Sequence, residues 1–134
     1  MNEPDARPPI EYFPGGRPGS PFSRAVRVGD TLYLSGQIGT RADGSKASDL
    51  AGQTRQTMEN IKAELATFGL GMDAIFKCTV MLADMDQWRD FNAVYLEYFA
   101  PDRLPARSAF GANKLVGGAL TEVECWAYMP DEVA

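Results

Sequence analysis

Two short β-rich runs joined by a tight turn constrain the fold of this chain most strongly. Residues 25–28 read AVRV and residues 31–38 read TLYLSGQI, with Gly29-Asp30 between them. A two-residue connection of this composition favours a hairpin turn, whose backbone twist matches that of the flanking strands. The sequence therefore predicts an antiparallel β-hairpin over 25–38.

A helix, a strand and a second helix are predicted next along the chain. Ser48 is predicted to cap the first helix, with Asp49 in its first turn, and apolar positions repeat at helical spacing up to Gly69: Leu50, Met58, Ile61, Leu65 and Phe68. The run IFKCTVML predicts a strand with one apolar side, formed by Phe76, Cys78, Val80 and Leu82. A second helix is predicted from about Asp86 to Pro101, with an aromatic stripe assigned to the core: Trp88, Phe91, Tyr95 and Tyr98.

Two further strands are predicted near the C-terminus, ARSAF and LTEVECWAYM, with a turn at Gly117-Gly118. One side of the last strand is apolar, whereas the other mixes carboxylates with large apolar groups: Leu120, Glu122, Glu124 and Trp126. A mixed face of this kind needs a partner. The order of elements predicts an α+β domain with both helices on one face of a mixed sheet and with other subunits against the opposite face.

The prolines and glycines divide the chain unevenly. Six of the nine prolines lie in residues 1–21, together with Gly15, Gly16 and Gly19. This composition predicts a flexible N-terminal arm over 1–21, followed by one domain over 22–130 and a short tail over 131–134.

Composition excludes several classes of function. The net charge of -5 makes nucleic acid an unfavourable partner, and no apolar stretch reaches membrane-spanning length. The N-terminus lacks the pattern of a signal peptide and the two cysteines have no ligand-like spacing, so we expect a cytoplasmic protein with free thiols. Without histidine, the chain cannot form a Ser-His-Asp triad or a histidine-ligated metal site, and we expect neither metal nor cofactor.

A few polar residues are candidates for chemistry on their own merits. Arg107 follows Pro105 on a predicted strand, which suits its planar guanidinium to a carboxylate. The alternatives are a solvent-facing arginine or an intersubunit salt bridge. Glu122 and Glu124 are both candidates for an acid/base, or for pairs with Arg107 or Lys114. Less specific candidates are a serine hydroxyl, a glycine that permits close approach and a helix-boundary amide: Ser35, Gly36 and Asn92.

Four blocks of the sequence resemble the RidA/YjgF (imine deaminase) family in order and spacing over roughly residues 20–128. They are SPFSRAVRVGDTLYLSGQIG, QTRQTMENIKAELATFGL, FNAVYLEYF and LPARSAFGANKLVGGALTEVECWA. The resemblance implies a chorismate-mutase-like fold, a homotrimer with active sites between subunits, and no cofactor. It further implies hydrolysis of 2-enamine and 2-imino acids, such as 2-aminoacrylate and 2-iminopropionate, to keto acids and ammonia.

The resemblance also assigns roles to residues. It implies that Arg107 holds the substrate carboxylate and that Glu122, the first of the ExE pair, handles the catalytic water. Ser35, Gly36 and Asn92 match pocket positions. Phe22 stands where many members have tyrosine and Ala109 where many have cysteine, which leaves the exact substrate open. The alternatives are a deaminase of a larger enamine of the aminomuconate type, a non-catalytic ligand-binding or chaperone-like trimer and, least supported by the acidic charge, a ribonuclease.

Overall fold

A six-stranded sheet with two helices packed on one face forms the structure, a computed structural model that describes residues 7–131. The elements in chain order are β1 (Ile10–Phe13), β2 (Ala25–Val28), β3 (Thr31–Leu34), α1 (Leu50–Thr67), β4 (Ile75–Leu82), α2 (Trp88–Tyr95), β5 (Ala106–Gly111) and β6 (Thr121–Tyr128). The order across the sheet is β1-β2-β3-β6-β4-β5. Only β4 and β5 run parallel among these neighbours, so the predicted mixed α+β architecture is confirmed.

The predicted hairpin is present as β2 and β3. Val28 pairs with Thr31 across the turn, and Gly29 has a φ of 60°. A positive φ is inexpensive for glycine, which explains why the turn falls at this dipeptide.

The predicted flexible arm over 1–21 is wrong for its central part. Residues 10–13 form β1, which pairs antiparallel with β2 from Ile10 opposite Val28 to Phe13 opposite Ala25. This short β-prone segment satisfies the hydrogen-bonding groups of an otherwise open sheet edge. Residues 1–6 and 132–134 lie outside the described residues, and the domain boundaries at 22, 130 and 131 stay predictions.

The first residues of β4 do not follow the predicted alternation of buried and exposed side chains. Ile75 and Cys78 are buried in the core, whereas Phe76 is 43% exposed. The register with β6 shifts between Ile75 and Lys77, which leaves Phe76 as an extra residue in this strand. Such a bulge sends the extra side chain to the opposite face.

The helix termini also refine the sequence prediction. Asp49, not Ser48, is the N-cap of α1, because its carboxylate accepts a hydrogen bond from the Gly52 N–H at 3.2 Å. Serine and aspartate can both cap a helix. Asp49 is the cap here because it directly precedes Leu50, the first residue of α1.

The aromatic stripe of α2 is only partly in the core. Phe91 and Tyr95 are buried as predicted, but Trp88 is 42% exposed and does not belong to the core.

The core lies between the helices and one face of the sheet. Its most buried members include Leu32, Val80, Val123 and Ala127 from the strands and Met58, Ile61 and Leu65 from α1. Within residues 7–131, no helix combines the length and apolar character needed to cross a membrane.

Candidate functional site

The residues predicted to form the site fall into two groups on opposite faces of the sheet. Arg107 on β5 is in register with Cys78 on the parallel strand β4, and Cys78 is fully buried on the face that the helices cover. Glu122 precedes the buried Val123 on β6, so alternation places it on the open face. One chain therefore does not bring Arg107 and Glu122 together.

Glu122 lies in an open cavity of about 660 Å³ beside the end of β3. Four of the residues singled out from the sequence line this cavity together: Phe22, Ser35, Gly36 and Glu122. Arg17 and Arg24 also line it. The cavity thus combines one apolar ring, two cations and two carboxylates, those of Glu122 and Glu64.

Gly36 allows the Glu122 carboxylate to lie directly against the backbone. A Cβ atom built on Gly36 would overlap Glu122 Oε2. Any larger residue at this position would therefore displace the carboxylate. The close approach that the sequence suggested for Gly36 is made here by Glu122.

Ser35 ties the loop that carries Phe22 to the sheet. Its hydroxyl donates to the carbonyl of Ser23 at 2.6 Å, and its backbone N–H donates to the carbonyl of Arg24 at 3.0 Å. The hydroxyl proton is thus already used, and Ser35 retains only acceptor capacity toward the cavity. The Phe22 side chain is 59% exposed at the cavity wall.

Arg24 belongs to this cavity although its role was missed from the sequence. Its guanidinium pairs with the Glu64 carboxylate and lies 4.6 Å from the centre of the Phe68 ring. The ion pair and the ring fix this side chain as part of the wall. Its position in the block SPFSRAV, directly before β2, was the available signal.

Glu122 and Glu124 occupy different environments although both lie on the open face. Burial, and secondly the charge of Glu124, raises the pKa of Glu122 above the ordinary glutamate value. Glu124 accepts a hydrogen bond from Trp126 Nε1 at 3.3 Å. A carboxyl with a raised pKa is suited to accept and return a proton near neutral pH, which favours Glu122 over Glu124 for that role.

Arg107 is held by aromatic rings on the other face. Its guanidinium carbon lies 4.8 Å from the centre of the Tyr95 ring and 5.2 Å from that of Trp88. Within residues 7–131 no carboxylate lies in ion-pairing distance of this guanidinium. Arg107 is therefore oriented but not neutralised, as expected of a group that binds an external anion.

Trp88 and Tyr95 are the site residues that sequence reasoning assigned elsewhere. Their helical spacing on α2 predicts a core stripe. Phe91, whose ring centre is 5.9 Å from the Arg107 guanidinium carbon, belongs both to the core and to the surroundings of Arg107. Trp88 is exposed, whereas Phe91 and Tyr95 in the same stripe are buried. This exposure distinguishes a ring that supports Arg107 from one that only packs in the core.

Asn92 and Ala109 lie on α2 and β5, the elements that hold Arg107, and neither lines the Glu122 cavity. Asn92 follows Trp88 by one helical turn, and its Oδ1 is buried without a hydrogen-bond partner among residues 7–131. Ala109 lies two residues after Arg107 on the same side of β5 and packs against the core. A buried acceptor without a partner is uncommon, which makes the Asn92 amide oxygen an unusual feature of this helix.

The Tyr95 hydroxyl is likewise buried, with no oxygen or nitrogen partner within the described residues. Burial, followed by the neighbouring Cys78, raises the pKa of Tyr95. Tyr95 therefore stays neutral and contributes its ring face, not a charge, to the surroundings of Arg107.

Comparison with known proteins places these residues in a family. Residues 16–129 match the family model described as endoribonuclease L-PSP. A RutC family protein from Sulfurisphaera tokodaii is 39% identical over 109 residues, covering 80% of this chain and 86% of that protein. The mouse protein named 2-iminobutanoate/2-iminopropanoate deaminase is 35% identical over 111 residues, covering 80% of each chain.

Solved structures show the same architecture. RidA from the Antarctic bacterium Psychrobacter superposes with a TM-score of 0.79 at 29% identity, covering 92% of this chain and 100% of that one. A Rid family protein from Yersinia pestis, described as of unknown function, has a TM-score of 0.80 at 34% identity and covers 88% of this chain and 94% of that one.

Proposed function

Because the chain belongs to the endoribonuclease L-PSP family, which includes YjgF and RidA proteins, we propose that it hydrolyses 2-imino acids and their 2-enamine tautomers to 2-keto acids and ammonia. The observation that carries the proposal is the pair of incomplete half-sites. Arg107 is oriented by rings but has no carboxylate partner among residues 7–131, and Glu122 is a partly buried carboxyl in a cavity. The two together supply an anchor for a substrate carboxylate and a base for water.

The half-sites are completed, in this proposal, by assembly into a homotrimer. Arg107 lies on β5, one of the two edge strands of the sheet, whereas the Glu122 cavity opens beside β3. An edge strand of one copy that docks near the open face of the next brings the two groups into one cleft, and cyclic symmetry repeats this at every interface. The large, partly exposed apolar side chains on the open face, including Tyr33 and Phe110, support such docking.

The chemistry then follows from the two groups. Arg107 binds the carboxylate of the imino acid through two parallel hydrogen bonds and so fixes the position of C2. Glu122 accepts a proton from a water molecule as the water oxygen adds to C2. The nitrogen takes up this proton as the C=N π electrons move onto it, which gives a carbinolamine. The carbinolamine hydroxyl then gives its proton to Glu122, which passes it to the nitrogen; the C=O bond forms as the C–N bond breaks, and the keto acid and ammonia leave. Acid/base assistance of this kind typically contributes ~10²–10⁴-fold in rate.

The family description also names ribonuclease activity, which this chain supports less well. The net charge is -5, and the carboxylate of Glu122 lines the cavity. Both repel a phosphate backbone. The deaminase assignment uses the same carboxylate as a functional group.

A direct assay tests the proposal. An amino-acid oxidase generates 2-iminopropionate from alanine, and trapping with semicarbazide reports how fast the imine disappears with and without the protein. We expect faster decay with the wild-type protein. We expect Arg107→Lys to lose most of that acceleration, because lysine keeps the charge but not the planar two-point grip.

Arg103→Lys is the matched control, since Arg103 is an exposed arginine in the turn before β5. This control should retain the wild-type rate. Equal rates in Arg107→Lys and in the wild type would show that Arg107 does not bind the substrate, and an unaccelerated wild-type reaction would contradict the proposed substrate class.

A further inference from the structure

Two cysteines face each other in the core, and the proposed hydrolysis uses neither. Cys78 on β4 and Cys125 on β6 are direct partners in the antiparallel register, and their Sγ atoms are 3.2 Å apart. Both thiols are free, and the residues are 0% and 1% exposed. No bulky reagent reaches such a pair in the folded protein.

The hydrogen bonds of β6 show which kind of cross-strand pair this is. The N–H and C=O of Val123 both bond to Gln37, which lies on the β3 side of β6. Because the backbone direction alternates along a strand, the same groups of Cys125 also point away from β4. Cys78 and Cys125 therefore form a non-hydrogen-bonded pair, with Cα atoms about 4.5 Å apart.

This separation lies inside the range of about 4.4–6.8 Å that disulfides span between Cα atoms. The Sγ atoms, 3.2 Å apart, need to approach by only about 1.2 Å to reach bonding distance. Side-chain rotation supplies a movement of this size without breaking the strand pairing. The geometry is thus prepared for a bond that the free thiols have not made.

We propose that Cys78 and Cys125 are an oxidation site, at which hydrogen peroxide converts the two thiols into a reversible cross-strand disulfide. The Cys78 thiolate attacks one peroxide oxygen, the O–O bond breaks, and a sulfenic acid and hydroxide form. The Cys125 sulfur then attacks the sulfenic sulfur and the S–O bond breaks. The two thiol protons join the two oxygens, so the peroxide is reduced to two waters and the thiols lose two electrons.

The surroundings assign the first attack to Cys78. A hydrogen bond with Cys125, assisted by Tyr95 and the charge of Arg107, lowers the pKa of Cys78 against the effect of burial. The same pair interaction and burial raise the pKa of Cys125. Cys78 is also in register with Arg107 on β5, which brings the guanidinium charge close to this thiol.

Oxidation has a measurable consequence for the fold. The cross-link would join residues 47 positions apart and fasten β4 to β6, the strand that carries Glu122. A disulfide that closes a long loop restricts the unfolded chain. The oxidised protein should therefore unfold at a higher urea concentration than the reduced protein, and a reductant should reverse the change.

Mass spectrometry after mild treatment with hydrogen peroxide tests the proposal. The folded protein is oxidised, quenched with catalase, unfolded without reductant and alkylated with N-ethylmaleimide. We expect an intact mass two hydrogens lower, no alkylated thiol, and a peptide that joins Cys78 to Cys125. Untreated protein should take up alkylating agent at both cysteines once it is unfolded.

Three results would overturn the proposal: two alkylated thiols after oxidation, sulfinic or sulfonic acid at either cysteine, or a disulfide between two chains. Cys125→Ala is the matched variant, in which Cys78 should stop at the sulfenic acid or oxidise further. Because the peptide map of the wild-type protein decides the question alone, a folding defect in this variant leaves the test intact, and no step depends on imine hydrolysis.

Discussion

The two faces of the sheet differ in what they contain. The face beneath the helices is almost wholly apolar and closed, with Leu32, Val80 and Val123 at 0% exposure. The open face carries half-buried carboxylates and aromatic rings, among them Glu122 and Trp126. Exposed apolar rings that form a contiguous patch, rimmed by polar groups, are typical of an interaction surface. One face therefore stabilises the domain, whereas the other, in the proposed function, becomes useful only when a second copy lies against it.

Arg107 is the exception that connects the two faces. It points to the helix-covered side, yet it does so at the edge strand, where α2 supplies rings instead of a closed core. A cation can therefore remain there without the cost of full burial. In the proposed trimer, this position places the edge of one chain against the carboxylate-bearing cavity of another.

The largest effect on catalysis is expected on the open face, for Glu122→Gln. This substitution preserves the shape of the side chain but removes the base. We expect kcat for imine hydrolysis to fall by ~10²–10⁴-fold, with a smaller change in KM. Glu124→Gln, the matched variant two residues further on, should stay within a few-fold of the wild type. Steady-state kinetics of both variants measure this, and the reverse pattern would assign the base to Glu124.

A substitution in the core beneath the helices should lower stability and leave catalysis unchanged. Leu65→Ala removes a fully buried side chain and should lower the free energy of unfolding by about 2–5 kcal/mol. Denaturant unfolding gives this value, while kcat/KM per folded site should stay near that of the wild type. A large loss of kcat/KM in the folded variant would show that the two faces are not functionally separate.

A smaller effect concerns stability and pH. The folded-state pKa of Glu122 is raised above its ordinary value of 4.5, so ionisation of this group destabilises the fold as pH rises from about 4.5 through the raised pKa. Glu122→Gln should therefore unfold at a higher denaturant concentration than the wild type at pH 7. That advantage should shrink as pH falls below 4.5, since both side chains are then neutral. If the difference in unfolding between Glu122→Gln and the wild type did not change with pH, it would not come from the ionisation of Glu122.

Local patterns in the sequence predicted much of this fold. The Gly29-Asp30 turn, the helical spacing of α1 and the alternation of β6 each depend on residues that are close together in the chain. The pairing of β1 and the bulge at Phe76 depend instead on the register between distant strands, which no local pattern specifies. The N-cap was misplaced by one residue for a local reason, because Ser48 and Asp49 are both good caps.

The site was predictable residue by residue but not as an arrangement. Alternation placed Glu122 on the mixed face, whereas the face of Arg107 depends on the parallel register between β4 and β5. Strand alternation within ARSAF is too short and too weakly apolar to choose a side. The separation of the two groups, which is the main argument for assembly, therefore required the structure.

The central claim is that Arg107 and Glu122 act together across a subunit boundary, and mixing two inactive variants tests it most directly. Arg107→Ala and Glu122→Gln are unfolded together in equal amounts, refolded and assayed for 2-iminopropionate hydrolysis. In a ring assembled at random, about one quarter of the interfaces pair an intact Arg107 with an intact Glu122. We predict recovery of about that fraction of wild-type activity, while each variant refolded alone stays inactive. Failure of the mixture to exceed either variant, although mixed oligomers form, would contradict the shared site.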